Sequence, residues 1–381
     1  MVDDVTSSPA SPSRPVRWFA RPAARGWTCA AVRDGVQAFH AGLPDYAPTP
    51  LVEVPAIARQ LGTGRVFVKD ESDRMGLPAF KVLGASWAIH QILSRQPAGA
   101  QLLLVTATDG NHGRAVARTA RLLGQRARVF VPDGVHPAAV AAIAAEGARV
   151  TPVAGTYDDA VRLAADAARD PGTALVQDAG WPGYEQVPGW IVEGYSTLFA
   201  EIGTQLSAAG AGPPGLVVIP AGVGSLAQAG VTHYRGTAAG SATALMSVEP
   251  VTAAAVLASL TQGEMVSVPN GPTIMAGLNC GIPSALAWPY LRDGLDAAIA
   301  VTDANSAAAA RELAGYEIPA GPCGAASLAG ARAALTGEGA QVRRAALGIA
   351  TDSTVVLLST EGAAANPHDL GSILPAPEEG G

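Results

Sequence analysis

The sequence predicts an α/β protein with two sheet-centred lobes, on three observations. Short Val- and Leu-rich runs alternate with alanine-rich stretches of helical spacing along most of the chain, the pattern of parallel strands joined by right-handed crossovers. With 381 residues, the chain exceeds the length at which a single core stops growing. A Gly/Pro stretch from Ala208 to Pro214 is its clearest internal break.

Taken in order, residues 1–20 are rich in Ser, Pro and Ala and read as a poorly ordered tail. A segment around Pro48-Thr49-Pro50-Leu51 leads to a helix-like stretch and then to a strand, Arg65-Val66-Phe67-Val68-Lys69. Further strands are expected at 101–106, 126–131, 148–153 and 173–177, with helices such as 137–146 and 158–169 between them. The alternation resumes at Leu216-Val217-Val218-Ile219 and continues at 243–248, 297–301 and 353–358. No long repeat is evident.

Composition narrows the function classes. A hydrophobic share of 49% is ample for a large core, and a net charge of −7 argues against nucleic acid or an anionic membrane surface as the partner. The opening MVDDVTSSPASPSRP lacks the apolar segment of a secretory signal, and no apolar run is long enough to span a bilayer. Three cysteines, Cys29, Cys280 and Cys323, lie far apart without metal-ligand spacing, so a reducing cytoplasm and no metal are expected. Of the 25 basic residues only two, Lys69 and Lys81, are lysines. Arginine cannot form a Schiff base, because its guanidinium stays protonated, so a lysine kept in such a background is a candidate for chemistry.

Four constellations carry that chemistry. In Pro78-Ala79-Phe80-Lys81-Val82-Leu83-Gly84, a strand and a loop deliver Lys81 to the start of a helix. Apolar neighbours such as Phe80 and Leu83 would disfavour its ammonium, as a Schiff-base lysine requires. Lys69, inside a strand beside two acids, reads as an ion-paired structural residue. Thr108-Asp109-Gly110-Asn111-His112-Gly113 sits at a strand end, where an open α/β sheet places its ligand crevice. N–H groups near Gly110 and Gly113 could take an anion, Asn111 could donate to a cofactor oxygen, and Asp109 could move a proton. An ordinary capping turn also fits this stretch, and His112 reads as structural. Ala221-Gly222-Val223-Gly224-Ser225-Leu226, between a strand and a helix, suits a phosphate but also a tight turn. Asp178, in Gln177-Asp178-Ala179-Gly180, ends a strand and can face the same crevice, or can cap a helix.

Together these residues resemble the diaminopropionate ammonia-lyases, a family of fold type II (tryptophan synthase β-like) enzymes that use pyridoxal 5'-phosphate (PLP). The resemblance runs from Phe39-His40 and Pro48-Thr49-Pro50-Leu51 through the lysine, Asp109-Gly110-Asn111-His112-Gly113 and Gln177-Asp178 stretches. It continues through Trp190-Ile191, Gly194-Tyr195, Ala221-Gly222-Val223-Gly224, Val248-Glu249-Pro250, Thr273 to Gly281 and Ser359-Thr360-Glu361-Gly362. Fold type II enzymes usually carry serine where this chain has Asp109, which points to this family.

The resemblance implies a two-lobed α/β enzyme with parallel-rich sheets flanked by helices. Residues 1–84 plus 200–381 would form a large cofactor-binding domain, and 85–199 a smaller, mobile substrate-side domain. Lys81 would hold PLP and take the α-proton of an L-substrate, Asp109 would serve a D-substrate, and Asp178 would share in proton transfer. Phe80 would pack on the cofactor, and Asn111 would bond its phenolic oxygen. Gly222, Val223, Gly224, Ser225 and Leu226 would cradle its phosphate. Thr360 would offer a neutral hydroxyl to the pyridine nitrogen, which favours β-elimination over transamination. The implied reaction converts 2,3-diaminopropionate into pyruvate and ammonia, in a cytoplasmic homodimer.

The chain also departs from the family pattern. Where relatives usually have Ser-Gly-Glu-Ser-Gly-Ala it has the stretch Pro319-Ala320-Gly321-Pro322-Cys323-Gly324-Ala325, and where they have Thr-Glu-Gly-Asp-Thr-Asp it has Thr360-Glu361-Gly362-Ala363-Ala364-Ala365. Two alternatives stay open: elimination or replacement of another β-substituent, and a non-catalytic, ligand-binding regulatory module on the same sheet.

Overall fold

A computed structural model describes residues 16–108, 110–236 and 242–365. The strands are β1 (Trp18–Ala20), β2 (Leu51–Glu53), β3 (Arg65–Asp70), β4 (Leu103–Ala107), β5 (Arg126–Pro132), β6 (Arg149–Val153), β7 (Thr173–Leu175), β8 (Leu216–Pro220), β9 (Ala244–Pro250), β10 (Ala297–Val301) and β11 (Thr354–Ser359). They form a seven-stranded sheet, β1-β10-β9-β8-β11-β3-β2, and a four-stranded sheet, β6-β5-β4-β7. The four-stranded sheet is wholly parallel, and the larger one is parallel except at its edges, β1 and β2. Strands covered by helices on both faces have no wet side, so they read as unbroken apolar runs. Every residue of β8, β9 and β10 is buried.

Two short elements differ from the sequence expectation. Residues 1–20 do not all belong to a tail: Trp18–Ala20 pair antiparallel with β10, and Arg21 N–H donates to the Asp296 carbonyl at 2.6 Å. Leu51–Glu53 pair antiparallel with β3. Three-residue edge strands carry too little periodicity to stand out from the loops around them. Among the described residues, no helix is long and apolar enough to cross a membrane.

Lys69 is the ion-paired residue the sequence suggested. It is fully buried, and its Nζ donates to Glu201 Oε2 at 2.6 Å, to the Thr49 carbonyl at 2.8 Å and to Gln205 Oε1 at 2.9 Å. Arg74 joins the cluster through Glu201 (2.7 Å) and Glu71 (2.6 Å). Two cations and two carboxylates balance, and the remaining donors and acceptors are satisfied, the condition under which buried charge is tolerated. The cluster pins the loop that leads from β3 to Lys81 against the long helix Gln186–Ala208. That helix also packs against the helix Lys81–Leu93 with no space at the crossing: a Cβ on Gly84 would lie 2.5 Å from the Tyr195 ring.

His40 adds a third tie. Its Nε2 lies 2.9 Å from the Leu83 carbonyl, which can only accept, so Nε2 carries the proton and Nδ1 accepts from the Thr197 hydroxyl at 2.7 Å. Burial, the largest cause, holds this imidazole down to about 4 from an ordinary 6.5.

Two outcomes follow. Glu201→Ala strands the charges of Lys69 and Arg74 and lowers unfolding free energy by about 3–5 kcal/mol, measured by urea titration. Because the folded pKa of His40 is depressed, its stabilisation is complete above about 6.5 and is lost as pH falls through about 4. His233 is likewise lowered to about 4 by burial and titrates in the same window. Thermal melts from pH 7 to 4 should therefore show a shallower decline in His40→Asn than in the wild type, without becoming flat.

Candidate active site

Lys81 is the first residue of its helix, and its Nζ lies 2.7 Å from Asp178 Oδ2. Asp178 follows β7, so this contact joins a residue beyond the four-stranded sheet to the loop that leaves β3 of the larger one. The next helix does not begin until Gln186, which removes the helix-cap reading of Asp178. The Phe80 ring lies 5.6 Å from the same nitrogen. The apolar enclosure expected around Lys81 is only partial: its side chain is 25% exposed, and its nearest polar neighbour is a carboxylate. A carboxylate partner favours the ammonium, so a proton must leave Lys81 before its amine can act as a nucleophile.

His112, read as structural, is buried beside this pair. Its Nε2 is 2.7 Å from the Val176 carbonyl and its Nδ1 is 3.8 Å from Asp178 Oδ2. Burial first, and the Lys81 ammonium, hold the imidazole below its ordinary value against the opposing pull of Asp178. Its Nε2 carries a proton, since the Val176 carbonyl can only accept. Burial works to raise the Asp178 carboxyl, but His112 and Lys81 outweigh it and hold it well below the usual carboxylate range.

The turn before the helix Asn111–Leu122 corrects one expectation. The N–H groups of Gly110 and Gly113 both donate to Thr108 Oγ1, each at 3.0 Å, so neither is available for a substrate anion. Thr108 is buried and is the capping residue the sequence left unassigned. Asn111 Nδ2 donates to Glu361 Oε2 at 2.6 Å. Asp109 lies outside the described residues.

The glycine turn after β8 meets Asp178 as well, since Ser225 Oγ donates to the Asp178 carbonyl at 3.2 Å. Gly224 has φ +97°, a conformation costly for any other residue, and precedes the helix Ser225–Arg235. A Cβ on Gly222 would stand 2.9 Å from Cys280 Sγ, so the backbone here has no room for a side chain. Such a turn leaves the first N–H groups of the helix for an anion. Val223 lies inside the turn, with its carbonyl accepting from Ser284 N–H at 2.8 Å, and Leu226 is buried behind it. Thr360 lies just past β11, and its carbonyl accepts from Phe80 N–H at 3.4 Å. The neighbouring Ser359 hydroxyl is fully buried without a hydrogen-bond partner.

Contacts thus tie the four constellations together at the carboxyl ends of both sheets. The Gly222–Leu226 turn could take a phosphate, Lys81 could offer an amine to an aldehyde, and Thr360 is tied to Phe80 through its backbone carbonyl. That set of groups fits PLP. Sequence reasoning assigned Glu361 no role, although it lies in the Ser359-Thr360-Glu361-Gly362 stretch that carries the resemblance.

The family model described as Pyridoxal-phosphate dependent enzyme matches residues 43–359. Diaminopropionate ammonia-lyase of Salmonella typhimurium is 38% identical over 294 residues, covering 71% of this chain and 73% of that protein. The Escherichia coli K12 enzyme of the same name is 35% identical over 345 residues, covering 85% and 86%. Among solved structures, the Escherichia coli diaminopropionate ammonia-lyase in complex with an aminoacrylate-PLP azomethine reaction intermediate is similar with a TM-score of 0.84. It is 33% identical, over 92% of this chain and 95% of that one.

Proposed function

The chain belongs to the pyridoxal-phosphate dependent enzymes of fold type II, and from that premise we propose that it converts 2,3-diaminopropionate, as the D- or L-isomer, to pyruvate and ammonia. The observation that carries this reading is the 2.7 Å contact of Lys81 with Asp178 in a cleft that also holds an anion-binding turn. Membership in an enzyme family removes the alternative of a non-catalytic module.

Bound PLP supplies an aldehyde that condenses with amines and a conjugated ring that accepts the electron pair released when a Cα–H bond breaks. This chain's residues supply the rest. Gly222, Val223, Gly224, Ser225 and Leu226 would hold the phosphate by backbone N–H groups and the helix dipole. Phe80, Asn111 and Thr360 would hold the ring, Phe80 by packing, Asn111 as a donor and Thr360 through an uncharged hydroxyl. Lys81, once its proton has left, removes the α-proton of the L-substrate. Asp178, 2.7 Å from that amine, shares in its proton transfer. Asp109 serves as the base for the D-substrate. Loss of the β-amine, followed by hydrolysis, accounts for two molecules of ammonia per pyruvate.

In this reading the substrate-side lobe is 85–199, supported by β4 to β7 lying within it, and the cofactor lobe is 1–84 plus 200–381. The working form is a homodimer in the cytoplasm. A second reading, elimination or replacement of another β-substituent, is favoured by one feature of the cleft mouth. Ala364 and Ala365 line a small cavity there with Asn111 and Arg114, and no acidic side chain is among its described lining.

Purified enzyme given D- and L-diaminopropionate should release pyruvate, followed by coupled lactate dehydrogenase. Activity towards neither isomer, with turnover of another β-substituted amino acid, favours the second reading. Lys81→Ala should abolish the absorbance near ~410–420 nm that a lysine-bound PLP gives, whereas Lys69→Arg should keep it. Asp109→Asn should reduce kcat/KM for the D-isomer about 100-fold or more, against less than about tenfold for the L-isomer. Equal losses remove the assignment of Asp109 to one enantiomer.

A further inference from the structure

Glu361 is 3% exposed, and its two carboxylate oxygens face different parts of the molecule. Oε2 accepts from Asn111 Nδ2 at 2.6 Å, and Oε1 accepts from the backbone N–H of Cys323 at 3.3 Å. Asn111 opens a helix that packs on the four-stranded sheet, whereas Cys323 lies in the first turn of the helix Pro322–Leu335, which packs on the larger sheet. This carboxylate therefore spans the cleft. Its backbone is held as firmly as its side chain. The Glu361 carbonyl accepts from Gly321 N–H at 2.9 Å, Gly362 N–H donates to the Pro78 carbonyl at 2.9 Å, and Ala79 bridges to Glu361. Gly321 also crowds it, since a Cβ there would stand 3.2 Å from Oε1.

We propose that Glu361 is a positioning residue that sets which end of the Asn111 amide faces the cofactor, and that ties the two sheets together in doing so. The two ends of an asparagine amide are nearly the same size, and only their neighbours distinguish them. A carboxylate accepts and never donates, so it selects the NH2 end. One N–H is then spent on Glu361, and the second remains for an acceptor in the cleft. This inference rests on the reading that PLP is held at Lys81 with an oxygen near Asn111.

Glutamine at position 361 separates this role from simple packing. The Cys323 N–H is fixed in the backbone and claims the amide oxygen of the new side chain, which turns the new NH2 group towards Asn111. Two NH2 groups cannot bond, so Asn111 flips and presents its oxygen to the cofactor's oxygen. An isosteric change thus acts as a severe one.

The test titrates apo-protein with PLP, reading the dissociation constant from the band near ~410–420 nm. Wild type, Glu361→Gln, Asn111→Ala and the double variant are compared, with circular dichroism and melting temperature confirming the fold. Glu361→Gln should weaken PLP binding about tenfold or more, and the double variant should match Asn111→Ala within about twofold, because both changes remove one interaction. Glu361→Gln binding within about twofold of wild type, or losses that multiply in the double variant, would overturn the proposal. Should Glu361→Gln melt early, Glu361→Asp in the same cycle carries the same criteria, since its shorter reach cannot span both donors. A wild type that takes up no PLP would instead overturn the underlying site, which keeps the two failures distinct.

Discussion

An ammonium and a carboxylate 2.7 Å apart, one carried by the loop from β3 and the other beyond β7, form the contact on which the rest of this molecule depends. It is a charge pair between two sheets, and each partner sits where its own sheet ends. Holding it requires that both ends be rigid. The buried cluster of Lys69, Glu71, Arg74 and Glu201 fixes the approach to Lys81, His40 fixes the first turn after it, and Ser225 fixes the backbone of Asp178. The pair also sets a chemical requirement. Asp178 stabilises the charged amine, whereas nucleophilic attack needs the neutral one, so a proton has to leave Lys81 before it can react.

The two lysines divide the work between structure and chemistry. Lys69 has no exposed surface and three hydrogen-bond acceptors, which leave its amine nothing to react with. Lys81 stays partly exposed and is paired with one carboxylate, Asp178. In a chain whose other basic residues are arginines, each lysine stands where a guanidinium would not serve: Lys69 because its compact charge meets three acceptors in a closed space, Lys81 because only an amine can condense with an aldehyde.

Most of the fold was legible because buried parallel strands leave long apolar runs and their helices leave alanine-rich ones. All nine strands read from sequence recur within a few residues, while Trp18–Ala20 and Leu51–Glu53, each three residues at a sheet edge, did not register. In the site, glycine-bearing motifs were easy to see, but their hydrogen bonding was not. Gly110 and Gly113 offered N–H groups on paper that Thr108 takes in the structure, since a side-chain cap competes for the same donors. His112 and Glu361 were hidden for another reason. Their significance lies in contacts with Asp178 and Asn111, far away in sequence, that no local pattern encodes.

The central claim is that one particular amine carries the cofactor, and a chain with two lysines lets it be tested at residue level. Holoenzyme reduced with borohydride and then digested should yield a single pyridoxyl-modified peptide by mass spectrometry, the one containing Phe80-Lys81-Val82. A modification on the Lys69 peptide, or on neither, would contradict the account.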